Sequence, residues 1–167
     1  MTVVPGLRRI ALVAHVSASL GWFGAVLTFL AVGIVALISP EEHAVRGAYL
    51  VMDPVARLVL VPLSIASLVT GVISSLSTQW GLVRHYWVVF KLVINVVATL
   101  VLLMYLETFR LLRVAAADLS APLALVRNPS PVVHAVLALI LLLAATTLGV
   151  FRPRGMTLYG WRKKHGA

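Results

Sequence analysis

Cysteine is absent from this 167-residue chain. That excludes disulfides, iron–sulfur clusters, a thiol nucleophile and covalently attached c-type haem. Acid is scarce too, with five Asp and Glu against 14 Lys and Arg. Charged residues of both signs make up 11% of the chain, where soluble domains carry about 25%. No internal repeat, low-complexity segment, Met-x-Met or His-x-His pair occurs, and the last two absences speak against a soft-metal pathway.

What fills the space is apolar. Hydrophobic residues account for 61% of the chain, and the mean hydropathy is +1.03. Uncharged runs extend from Ile10 to Ser39, Leu58 to Val83, Leu92 to Leu106 and Asn128 to Phe151. A helix crossing a hydrocarbon layer of ~30 Å needs about 20 apolar residues. The third run reaches that length when extended back to His85, which carries Lys91 into the membrane. Lipid offers no partners for backbone N–H and C=O groups, so each run is expected to be a helix. The first run is about twice the ~7–15 residues of a signal-peptide core and is expected to remain as a span.

The expectation is an all-α, polytopic protein: a single domain of residues 1–167 forming an antiparallel four-transmembrane-helix bundle. The helices are placed at about residues 8–39, 44–77, 84–117 and 131–151, with a short basic tail over residues 152–167. Ser77-Thr78-Gln79-Trp80-Gly81 forms a tight turn, Pro54 and Pro62 kink the second helix, and Pro131 suits a first turn that needs no N–H.

The net charge of +9 does not imply a nucleic-acid partner, because the cations cluster at helix ends, where they set orientation. The two termini and the turn between helices two and three hold eight Lys and Arg outside the membrane, against five on the other side. The positive-inside rule then places both termini in the cytoplasm of a bacterial cell, with the lipid bilayer as the principal partner.

On the second helix Asp53, Arg57, Ser64, Ser67, Gly71 and Ser74 fall within a ~120° sector at 100° per residue. Small and hydroxyl residues let helices approach closely, so this face reads as a packing seam, a space cleared for a flat cofactor, or the contact of a homodimer or larger complex. Polar residues form two layers. His15 lies 6 residues past Arg9, and Lys91 lies 7 past Arg84. At 1.5 Å per residue both sit roughly 9–11 Å inward, with Asn95 and Ser74 close to the same level. Asp53, Arg57, Glu107 and His134 form an outer polar cluster.

Ionisable side chains inside a membrane are functional candidates by default. Lys91 either snorkels to the interface, holds a carboxylate or shuttles a proton. His15 is a packing residue, a metal or haem ligand, or a proton carrier. His85, at the inner edge, is an interfacial residue or a second axial ligand.

His15, followed seven residues later by Trp22-Phe23-Gly24, resembles the first helix of the HemJ-type protoporphyrinogen oxidases, small four-helix membrane proteins that bind haem b. Lys91 follows a tryptophan-containing turn, and Arg152-Pro153 closes helix four, as in that family. Histidine followed by Trp-x-Gly also resembles copper-resistance D domains. The chain departs from the HemJ pattern at Val89, where that family has histidine, and over Leu30 to Ile34, where it has Pro-Arg and a further histidine. The resemblance implies haem b as cofactor, with His15 as axial metal ligand, Lys91 and Arg84 on the propionates, and Asn95, Ser74 and Trp22 around them. The residues alone leave two other readings open: an ion, proton or solute transporter using His15, Lys91 and Asn95, and a non-catalytic subunit of a larger membrane complex.

Overall fold

A computed structural model describes residues 5–78 and 80–166. Gln79, in the expected Ser77–Gly81 turn, lies outside them. The described residues form α1 (Pro5–Ile38), α2 (Glu42–Val55), a π-helical turn (Ala56–Leu60), α3 (Val61–Leu76), α4 (Tyr86–Ala117), α5 (Leu123–Val126), α6 (Ser130–Phe151) and α7 (Leu158–His165). Four rods are long and apolar enough to cross a membrane: α1, the continuous Glu42–Leu76 rod, α4, and the segment ending in α6. The protein is an all-α, multi-pass membrane bundle.

The helix ends follow local chemistry. Pro40 disfavours helical geometry at Ser39, and α1 stops at Ile38. Glu42 opens α2 with an acid in its first turn, where the helix dipole favours negative charge. Between Pro54 and Pro62 the rod widens into a π turn, which accommodates two residues that cannot donate to the ladder. The third span starts at Tyr86 rather than residue 84, because His85 is extended and bridges to Met156. Pro131 occupies the first turn of α6, where its missing N–H has no helical partner.

Each rod packs against two neighbours. α1 lies against α2–α3 and α6, and α4 lies against the same two, which closes an up-down-up-down ring. Between 17 and 28% of each span's most apolar window is buried inside the bundle, so most apolar side chains face outward. That distribution is stable only where the surroundings are themselves apolar.

Buried side chains concentrate at one end. α1, α2–α3 and α4 have 32–35 residues each, or about 50 Å at 1.5 Å per residue, while the 22 residues of α6 just cross ~30 Å of hydrocarbon. The excess builds a dome at the loop end, where Val45, Tyr49, Met52, Ala36 and Val126 are fully buried. Phe109 meets Phe29 edge-on at 5.0 Å and Tyr105 at 4.8 Å. The Ser64–Ser67 seam is consumed within the bundle: both serines are buried, and Ser19 Oγ lies 2.8 Å from Ser67 Oγ. Ser64 and Ser67 therefore serve the packing of α1 against α3 within the bundle.

Candidate functional site

α1, α3, α4 and the turn before α4 line a half-open cavity in the half of the bundle nearest the termini. Its volume is about 50 Å³, and His15, Ser67, Gly71, Trp87, Lys91 and Asn95 are among its lining residues. At least about 10–15 Å³ is needed to hold one water, so there is room for a few waters or a small anion. Three of the residues expected to share a layer meet here. Trp22 does not; it is 2% exposed in the core. Ser75 rather than Ser74 faces the space, and Arg84 and His85 line a different cavity.

His15 is fixed from α3. Its Nδ1 lies 3.1 Å from the Ser67 carbonyl and 3.4 Å from Thr70 Oγ1. A carbonyl only accepts, so Nδ1 carries the proton and donates, which leaves Nε2 as the lone-pair nitrogen. The ring stands directly over Gly71, where an added Cβ would come within 2.9 Å of Cε1. Lys91 is seated in the same way over Gly149: a Cβ there would lie 2.9 Å from Nζ. Two glycines on different helices thus clear the space for the two nitrogen groups.

Lys91 Nζ has no ion pair and no hydrogen-bond acceptor among the described residues. Asn95 Nδ2 donates to the Lys91 carbonyl at 2.8 Å. No carboxylate lines the cavity, and all five acids of the chain lie towards the opposite end. An aromatic cluster borders the site: Trp80 packs edge-on against Trp87 at 5.7 Å and His85 at 5.1 Å. The Arg152 guanidinium stands 5.7 Å from the Trp80 ring centroid.

The outer polar residues are neutralised by one another. Asp53 is buried and bridges Arg57 at 2.8 Å and Arg113 at 3.1 Å. Glu107 pairs with Arg110. His134 stands apart from these acids; it stacks on Tyr105 at 4.1 Å and its Nδ1 donates to the Ser130 carbonyl at 2.8 Å.

Two residues that sequence reading treated only as surface charges carry structural weight. Arg46, 5% exposed, pairs with Glu42 and donates to the carbonyls of Ala116, Asp118 and Ala121, which caps the end of α4. Arg127 donates to the carbonyls of Leu37 and Ser39 and caps α1. Terminal carbonyls need such donors, but nothing in the sequence says which arginine supplies them.

Among the described residues, no group of three or more His, Cys, Asp or Glu is placed to hold a metal ion. Comparison with protein-family models, with curated proteins and with solved structures returns no match. The chemistry of the site rests on its own geometry.

Proposed function

We propose that this protein is a small carrier of the bacterial cytoplasmic membrane, with both termini in the cytoplasm, and that the His15–Lys91 cavity is its binding site for a small anion. The observation that carries the reading is Lys91: an ammonium inside a membrane-spanning helix, facing a cavity, with no acid or acceptor beside it among the described residues. Uncompensated charge in a span costs several kcal/mol. Such a group is retained where a ligand supplies the counter-charge. Lys91 attracts the anion, Trp87 and Val88 exclude bulk water, and Asn95, Ser67 and the His15 ring define its size.

The test is anion uptake by liposomes containing the purified protein, with binding measured directly on the same preparation. Wild type takes up a monovalent anion such as chloride or formate, and Lys91→Met loses both uptake and binding while remaining folded. Equal uptake by the two proteins would end this reading.

A second reading, haem b ligated by His15, is supported by the Nδ1–Ser67 hydrogen bond. That contact orients an imidazole and leaves Nε2 available as a metal ligand. The resemblance to HemJ-type proteins points the same way. The size of the cavity points against it: about 50 Å³, where pockets for drug-sized ligands measure roughly 300–1,000 Å³. A porphyrin does not fit the site as it stands. An absorption spectrum of the purified protein beside His15→Ala decides the matter, since a Soret band lost in the variant would establish the haem reading.

A further inference from the structure

Residues 152–166, after α6, fold back onto the bundle and complete a second cavity, of about 190 Å³, lined by Arg84, His85, Met156, Gly160, Lys163 and Lys164. The docking is specific. Thr157 N donates to the Arg84 carbonyl at 3.0 Å, Thr157 Oγ1 donates to the Val83 carbonyl at 2.6 Å, and Met156 forms an isolated bridge with His85. Thr157 also caps α7, accepting from Gly160 N at 3.1 Å. Gly160 presses on the Arg84 carbonyl so closely that a Cβ there would collide with it. The basic residues of α7 lie in its last turn, and those at 163 and 164 reach the cavity.

Among the described residues, the lining supplies two lysines, one arginine and a histidine, and no carboxylate. His85 Nδ1 lies 2.9 Å from the Trp80 carbonyl, so it donates there and its ring is held in place. Leu158, Tyr159 and Trp161 are exposed beside the cavity, on a helix that follows directly from the end of a membrane span. Tyr and Trp rings favour the headgroup level of a membrane, and Gly160, Lys163 and Lys164 share the side of α7 that is turned to the cavity.

We infer that the α7 cavity binds the phosphate of an anionic phospholipid headgroup, in the leaflet on the side of the termini. Lys163 and Lys164 hold the phosphate, and Tyr159 and Trp161 lie against the acyl boundary. Clustered cations at this depth recognise anionic headgroups, and a phosphate accepts several charge-assisted hydrogen bonds at once. The site is separate from the Lys91 cavity and does not rest on the carrier reading.

Native mass spectrometry of the detergent-purified full chain, titrated with phosphatidylglycerol, phosphatidylcholine and inorganic phosphate, tests it. Wild type is expected to retain phosphatidylglycerol about tenfold more tightly than phosphatidylcholine. Lys163→Gln/Lys164→Gln should abolish that preference. Arg154→Gln/Arg162→Gln removes the same charge from residues that do not line the cavity, and should preserve it. Gly160→Ala should abolish the preference with no change in charge, by undocking α7. The proposal is overturned if both double variants lose the preference equally, if the Lys163/Lys164 or Gly160 variant keeps it, or if inorganic phosphate binds as tightly as the lipid. Circular dichroism confirms that the four spans, which none of these residues belongs to, remain folded.

Discussion

At the loop end of the bundle, acids and cations come in matched sets. Glu42 meets Arg46, Asp53 lies between Arg57 and Arg113, and Glu107 meets Arg110. At the end nearest the termini, nine of the 14 Lys and Arg stand with none of the five acids, so the net charge of +9 resides there. The burial differs as much as the charge. The loop end holds the fully buried Val45, Tyr49 and Met52, while both cavities open at the other. Matched charges and a filled core make a rigid cap. Cations set far from the acidic side chains, around vacant space, make a place for a ligand of opposite sign. The same residue types, lysine and arginine, thus serve stability at one end and recognition at the other, and neighbouring carboxylates and carbonyls decide which.

Substitutions at four positions separate the two ends. Arg46→Ala should have the largest effect, about 2–4 kcal/mol of destabilisation, because it leaves three carbonyls at the end of α4 without their donor, while the more exposed Glu42 adds little. Thermal melting in detergent measures it. Arg46→Lys should recover little of the loss, since one ammonium cannot span carbonyls that a guanidinium fork reaches together. A wild-type melt for Arg46→Ala would remove the case for a rigid cap.

Asp53→Asn comes next, at about 1–2 kcal/mol. The acid is buried, but its two arginine partners are roughly half exposed, and solvent screens the loss. A double-mutant cycle with Arg113→Gln isolates the bridge.

Lys91→Met should leave the bundle at least as stable as wild type, because it removes an unpaired charge from a span. It should abolish anion binding at the same time. Stability lost in parallel with binding would show that Lys91 belongs with the structural charges, and the contrast between the ends would fail.

The smallest effect is expected at Thr99, whose Oγ1 is buried with no hydrogen-bond partner. Thr99→Val keeps the shape and removes the orphaned hydroxyl, so the melting temperature should stay level or rise by the equivalent of a few tenths of a kcal/mol. A marked loss would mean that this hydroxyl serves a partner in the membrane.

Much of the fold is legible in residues taken a few at a time. Four uncharged runs, Pro40 after α1 and Pro131 at the start of α6 act within one or two turns, and the helices form where those signals lie. The site was only half legible. Depth along each helix can be counted from its basic anchor, which put His15 and Lys91 at one level. Facing cannot be counted so well, because a small error in helix rotation moves a side chain between lipid and interior. Trp22 therefore lies in the core and Arg84 in a second cavity, while Ser75 takes the place expected for Ser74. The tail carried the signals of a helix (Thr157 as cap, basic residues in the last turn and Gly166 beyond it), yet its docking depends on carbonyls at Val83 and Arg84 that no pattern announces.

By itself the sequence determined that this chain spans a membrane as helices, and that its excess positive charge lies at one end. Both follow from local composition, since lipid leaves a backbone no other way to satisfy its hydrogen bonds. Only the tertiary structure decided which polar groups meet. His15 reaches a carbonyl 52 residues away, Arg46 one 70 residues away and Arg127 one 90 residues away. Such pairings depend on how four helices rotate against one another, and that rotation is set by packing the whole bundle at once.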